Sequence, residues 1–157
     1  MKIHQTKSLS LEQKEAVLHI WNEEYAEKLV KTMEEFETYL SKLGDAQHFL
    51  MFDEADAHFG WAVTFDREGE RWFAIILNGS EHGKGYGTRL LNALKESEPV
   101  LNGWVTDHDR DIRRNGQPYR SPMGFYLKND FEVLEDVRLE TEELSAVKIK
   151  WAKQKGS

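Results

Sequence analysis

The sequence has no cysteine. That excludes a disulfide framework and any acyl-cysteine intermediate, and it suits a reducing compartment. No run of about 18 apolar residues occurs, the length a membrane-spanning helix requires. The opening stretch Met1-Lys2-Ile3-His4-Gln5-Thr6-Lys7 lacks an apolar signal core. The expectation is a cytoplasmic protein that engages no membrane. Basic charge is also short: 21 Lys and Arg face 28 Asp and Glu, a formal net charge of −7. A nucleic-acid backbone would call for a clustered basic face, so nucleic acid is not an expected partner. No repeat or low-complexity tract divides the chain. Its 157 residues are read as a single domain, residues 1–157, long enough to bury about 70% of the unfolded surface.

Two common phosphate-binding spellings are absent as well. A P-loop needs Gly-x4-Gly-Lys-Ser/Thr and a dinucleotide fingerprint needs Gly-x-Gly-x-x-Gly. Here Gly79 to Gly83 is one residue short, Lys84 is followed by Gly85 rather than a hydroxyl, and the last interval of Gly83-x-Gly85-x-Gly87 is wrong. What stands there instead is His82-Gly83-Lys84-Gly85-Tyr86-Gly87-Thr88, between the apolar run Trp72–Leu77 and the helical pattern Arg89–Lys95. It reads as strand, glycine turn, helix. Alternating glycines let backbone N–H groups converge, and the helix aims the positive end of its dipole at the same point, which together hold a phosphate or pyrophosphate. The plainer alternative is a glycine-rich connection without a ligand.

Further on, Ser121-Pro122-Met123-Gly124-Phe125-Tyr126-Leu127-Lys128-Asn129-Asp130-Phe131 offers an N-cap serine, proline at the first helical position, two helical turns and a strand from Phe131. With both segments in view, the chain resembles the GNAT superfamily of acetyl-CoA-dependent N-acetyltransferases over roughly residues 47–151. The family's Arg/Gln-x-x-Gly-x-Gly/Ala turn corresponds to His82-x-x-Gly85-x-Gly87. Its Phe-Tyr-x-x-x-Gly-Phe segment corresponds to Phe125-Tyr126-x-x-x-Asp130-Phe131. His82 puts a titratable donor where the family has Arg or Gln, and Asp130 replaces a glycine at a position where Asp tolerates a left-handed backbone.

The rest of the chain agrees with that arrangement. Ser10 with Gln13 and Thr32 with Glu35 spell two capping boxes, each followed by an apolar helical stripe, with Gly44 as the second helix's stop. Gln47–Phe52, His58–Phe65 and Arg71–Leu77 read as an antiparallel meander joined by Asp53–Asp56 and Asp66–Gly69. Pro99 and the turn-like Asn102-Gly103 precede a strand Trp104–Thr106, and Phe131–Leu134 and Ala146–Trp151 complete the sheet. A first strand is placed within residues 2–7, and Lys155-Gly156-Ser157 is read as a frayed end. The order is an α+β fold with a mixed, mostly antiparallel central sheet and helices on both faces.

The resemblance implies an activity and a site. Acetyl-CoA would be the co-substrate, and a small-molecule or peptide amine the acceptor, with direct transfer in a ternary complex by a monomer or homodimer. Leu77, Asn78 and Gly79 would present backbone N–H groups to the thioester oxygen. His82, Gly83, Lys84, Gly85, Tyr86, Gly87 and Thr88 would surround the pyrophosphate. Tyr126 would protonate the departing thiolate, its phenol holding a proton at neutral pH; the alternative is a tyrosine that only packs on the sheet. A strand carboxylate used by some family members falls on Arg71, so the base is sought in Asp107 or, next, His108, with ordered water as the remaining option. Arg110, Arg113, Arg114 and Arg120 could reach a 3′-phosphate or an acceptor carboxylate, or be surface charge. Glu23, Glu24, Glu27, Glu34, Glu35 and Glu37 could attract a cationic amine, or be the solvated faces of two helices. No metal is expected, since no second cluster completes a shell around the Asp and His residues near position 108. The missing strand carboxylate also leaves open a non-catalytic acyl-CoA-sensing or protein-interaction module.

Overall fold

The computed structural model describes residues 1–79 and 82–153, so the terminal segment read as frayed lies outside the described residues. The chain runs β1 (Lys2–Thr6), α1 (Leu11–Glu24), α2 (Met33–Ser41), β2 (Gly44–Phe52), β3 (His58–Arg67), β4 (Glu70–Leu77), α3 (Tyr86–Ser97), β5 (Val100–Thr106), α4 (Met123–Lys128), β6 (Glu132–Glu140) and β7 (Ser145–Ala152). A 3₁₀ turn at Glu27–Leu29 links α1 to α2. The strands form one sheet in the order β1-β2-β3-β4-β5-β7-β6. Every neighbouring pair is antiparallel except β4 with β5, which is parallel.

Period-two alternation along the strands sorts their side chains onto two faces. In β2, Phe49 and Met51 turn to the side covered by α3, where they meet Leu90, Leu91 and Leu94; Leu50 turns to the other side, with Trp61 and the α1 residues Val17, Ile20 and Trp21. Leu90, Leu91 and Leu94 are fully buried, and burial of each contributes about 2 kcal/mol. Both predicted capping boxes form: Ser10 Oγ accepts from the Gln13 N–H at 3.2 Å and Thr32 Oγ1 from the Glu35 N–H at 3.2 Å. Trp61 donates its indole N–H to His48 Nδ1 at 3.1 Å. Burial there lowers the His48 pKa to about 4, so the ring is neutral.

Four local readings change. Asn102-Gly103 is not a turn but the middle of β5: the Asn102 amide donates to the Arg71 carbonyl at 3.0 Å, and a Cβ on Gly103 would stand 2.7 Å from the Phe73 ring. That glycine is selected by close approach rather than by bending. Gly44 opens β2 instead of ending α2, and the left-handed residue is Asp45, with φ 44°, at a bulge. β6 continues to Glu140 through charged residues, as an exposed edge strand whose polar side chains hide its periodicity. α4 starts at Met123, one residue later than expected, and Ser121 Oγ accepts from the Met123 N–H at 3.2 Å. Asp130 adopts the anticipated left-handed conformation, φ 69°, and the Phe131 N–H returns to the Tyr126 carbonyl at 3.1 Å.

Candidate active site

β4 and β5 share one register pair, Trp72 with Asn102. Beyond it β4 stays paired with β3 out to Leu77, and β5 stays paired with β7 through Thr106. The two inner edges therefore part while the outer edges hold. Between them opens a cleft of about 810 Å³, lined by Ile75, Ile76 and Leu77 of β4, by the glycine turn, by Phe125 and Tyr126 of α4, by Glu24 and Tyr25 at the end of α1, and by the β5–α4 loop.

Strand parity decides which β4 amides face that cleft. The Asn78 N–H donates to the Phe59 carbonyl on β3 at 2.7 Å. Alternate residues point the opposite way, so Leu77 directs its N–H and C=O to the inner edge. Asn78, expected to offer its amide to a thioester, has already committed it to the sheet. The Gly79 N–H donates to Glu24 Oε2 at 2.8 Å. Of the three expected amides, the Leu77 N–H is the one left on the inner edge with no such commitment.

The glycine turn depends on left-handed glycines. Gly83 and Gly85 have φ of 80° and 81°, the left-handed region that glycine enters without steric cost. Gly85 is the N-cap of α3 and, having no side chain, cannot cap it, so among the described residues no side-chain cap serves the first N–H groups of α3. Gly83, Gly85, Gly87 and Thr88 line the cleft. Gly87 also permits α3 and α4 to touch, since a Cβ there would lie 3.3 Å from the Phe125 ring. Lys84 and Tyr86 do not line the cleft; Tyr86 packs on Phe59 with ring centres 5.3 Å apart. His82 lies at the cleft, but its Nε2 sits 2.9 Å from the Leu77 carbonyl. A carbonyl only accepts, so Nε2 carries the hydrogen and the ring clasps the end of β4.

Tyr126 packs on its aromatic neighbours and borders the cleft. Its ring is packed edge-on against Phe73, Phe125 and Phe131, with centres 5.1–5.8 Å away, and the residue is 6% exposed. Burial raises its pKa far above the usual phenol range, so the proton stays.

Asp107 and His108 are elsewhere. Arg138 donates to both carboxylate oxygens of Asp107, at 2.8 and 3.1 Å, and continues to Glu140 at 2.8 Å. That hydrogen-bonded guanidinium lowers the Asp107 pKa, the opposite of what a base requires. His108 Nδ1 accepts from the Arg110 N–H at 3.1 Å. Neither residue lines the cleft. The arginine cluster divides: Arg114 pairs with Glu23 at 2.5 Å, Arg113 donates to the Glu23 carbonyl at 3.1 Å and lies 3.4 Å from Glu24 Oε1, and Arg120 lines the cleft without a hydrogen bond or ion pair to the described residues. Among the described residues no group of three His, Cys, Asp or Glu could hold a metal.

Tyr25 and Tyr119 line the cleft without having been proposed for the site, and Glu24 is the member of the acidic group that reaches it. The others of that group do different things, Glu35 closing a capping box at 2.9 Å and Glu37 meeting Lys14 at 3.5 Å. Glu24 is distinguished only by tertiary structure, because its partner Gly79 is 55 residues away.

No family model and no curated protein matches the sequence. Solved structures do match its fold. An aminoglycoside 6'-N-acetyltransferase complexed with coenzyme A superposes with a TM-score of 0.68 at 15% identity, over 97% of each chain. A GNAT superfamily phosphinothricin acetyltransferase from Sinorhizobium meliloti, in complex with acetyl-CoA, gives a TM-score of 0.68 at 14% identity, covering 100% of this chain and 91% of its own. Escherichia coli ElaA gives 0.69 at 15% identity, covering 98% and 100%. The parted β4 and β5, the glycine-opened α3 and these superpositions agree that the chain has the fold of the GNAT acetyltransferases.

Proposed function

We propose that the protein is an N-acetyltransferase that moves an acetyl group from acetyl-CoA to a primary amine by direct transfer, with no covalent enzyme intermediate. One observation carries the reading: the inner edge of β4 borders a cleft that has the glycine-opened N-terminus of α3 at one side and Tyr126 at another. The coenzyme A and acetyl-CoA complexes of two neighbours support the choice of co-substrate.

In this reading Gly83, Gly85, Gly87, Thr88 and the first amides of α3 receive the pyrophosphate, where converging N–H groups and the helix dipole favour negative charge. The Leu77 N–H polarises the thioester carbonyl and stabilises the oxyanion that forms as nitrogen attacks. Tyr126 gives its proton to sulfur as the C–S bond breaks, and recovers one from the nitrogen as the amide forms. The ammonium's other proton leaves to solvent, so the reaction releases one amide, one thiol and one proton. Asp107, held by Arg138, takes no part. The residues invoked come from one chain, and the reaction is placed in the cytoplasm.

The test is thiol release from acetyl-CoA over a panel of amines, with binding of coenzyme A read as a rise in melting temperature by mass action. Amine-dependent thiol release supports the proposal. Binding with no transfer to any amine favours the acyl-CoA-sensing module, and absence of both rejects the site.

A further inference from the structure

Glu24 is the one carboxylate among the described residues that line the cleft. Its side chain is 9% exposed. Oε2 accepts the Gly79 N–H at 2.8 Å and Oε1 lies 3.4 Å from Arg113 Nη2. Each carboxylate oxygen has a second acceptor direction, so the group can take further N–H donors. Gly79 lies two residues beyond Leu77, the last residue of β4, and Glu24 and Leu77 line the same cleft. The carboxylate therefore shares the cleft that holds the acetyl group in the acetyl-transfer reading.

A second observation is independent of the carboxylate. Glu24 closes α1, a helix of 14 residues with no basic residue in its last turn, so the negative end of the helix dipole arrives at the same place. Arg113 offsets one charge there. The phenols do not add to the negative charge: burial raises the pKa of Tyr25 well above the usual range and that of Tyr119 to about 12, so both stay neutral. The remaining cleft charges are positive, on Arg113 and Arg120. Glu23, which sequence alone would group with Glu24, is neutralised by Arg114.

We propose that the acceptor enters as a singly charged primary ammonium seated on Glu24 at the C-terminus of α1, its carbon skeleton lying against Tyr25 and Tyr119, and that polycationic amines are disfavoured. Among the described residues that line the cleft, a second positive charge would find no second anion and two guanidinium groups. After losing one proton to solvent the nitrogen still has two N–H groups to donate to Glu24, while its lone pair attacks the thioester carbon. The proposal rests on the acetyl-transfer reading.

The experiment measures acetyl transfer from acetyl-CoA to benzylamine, spermidine and aniline by wild type, Glu24→Gln and Glu24→Asp. Benzylamine and spermidine are cationic at neutral pH and aniline is neutral. Wild type is expected to favour benzylamine over spermidine. Glu24→Gln keeps an acceptor for Gly79 but loses the charge, so kcat/KM for benzylamine should fall about tenfold or more, mainly through KM, while aniline changes by less than about threefold and coenzyme A affinity is unchanged. Glu24→Asp should recover part of the loss. Equal losses for benzylamine and aniline would make Glu24 a structural latch and overturn the seat. A wild-type preference for spermidine would overturn it even if neither variant folds. Transfer to none of these or any other amine, with acetyl-CoA bound, would reject the acetyl-transfer reading itself.

Discussion

The seam between β4 and β5 has a closed end and an open end. At the closed end the strands are joined by side chains as much as by backbone. Trp72 stacks on Trp104 with centres 5.1 Å apart, Lys148 lies over the Trp72 ring at 5.2 Å, and the Asn102 amide ties β5 to the Arg71 carbonyl at 3.0 Å. Arg71 in turn meets Glu98 at 3.0 Å, just before β5. At the open end side chains from outside the sheet meet the end of β4, with His82 on the Leu77 carbonyl and Glu24 on the amide of Gly79 just past the strand. The difference is one of partners: tight packing joins the strands where they meet, and polar side chains take up backbone groups at and just past the end of β4. The proposed chemistry lies at the open end and the tight packing at the closed end, a division that substitutions can break.

The largest effect is expected at the open end. Tyr126→Phe keeps the ring contacts and removes the proton, so turnover should fall by about ten- to a thousandfold while coenzyme A affinity and melting temperature stay near wild type. Steady-state kinetics beside a thermal melt would check it; unchanged turnover would reduce Tyr126 to packing. At the closed end, Gly103→Val drives a side chain into the Phe73 ring, where even a Cβ would stand 2.7 Å away. Overpacking of this kind costs about 1–3 kcal/mol. Because Phe73 also touches Tyr126, with centres 5.8 Å apart, a smaller loss of turnover should accompany the loss in stability. Denaturant melts and rates on the same preparation would separate the two.

A pH effect is expected away from the seam. His48 has its folded pKa lowered to about 4 by burial, below the value of about 6.5 for an unfolded chain. The unfolded state therefore takes up the proton first. The stability contributed by neutral His48 is complete above about pH 6.5 and is lost as pH falls toward 4. His48→Gln keeps an acceptor for the Trp61 N–H and should flatten melting temperature over that interval. A slope as steep as wild type would assign the dependence to other groups. The smallest effect is expected at Asp107: Asp107→Asn should change turnover by less than about threefold, because the carboxylate is bound to Arg138 and does not line the cleft.

Features set by near neighbours in the chain were legible beforehand. Both capping boxes, the left-handed Asp130, the glycine turn opening α3 and the placing of Tyr126 after Pro122 depend on contacts within a few residues, which spelling reports directly. What failed depended on distant partners. Asp107 looked like a base until Arg138, 31 residues on, claimed it, and Asn102-Gly103 carried a turn signal that packing against Phe73 overrode. Asn78 was one residue off in strand parity, an error a sequence cannot reveal before the β3–β4 register is known. Glu24 was one of six similar acids until α1 was placed beside the end of β4.

The central claim is that the open end binds the coenzyme through the backbone of the glycine turn. Titration of coenzyme A into wild type and Gly85→Asp, followed by calorimetry, tests it most directly. Gly85 has φ 81° and nothing within 4 Å of a would-be Cβ. Aspartate can take that backbone at modest cost while placing like charge beside the pyrophosphate. The account predicts saturable binding to wild type and its loss in a folded Gly85→Asp protein. Equal affinity in the two would contradict it.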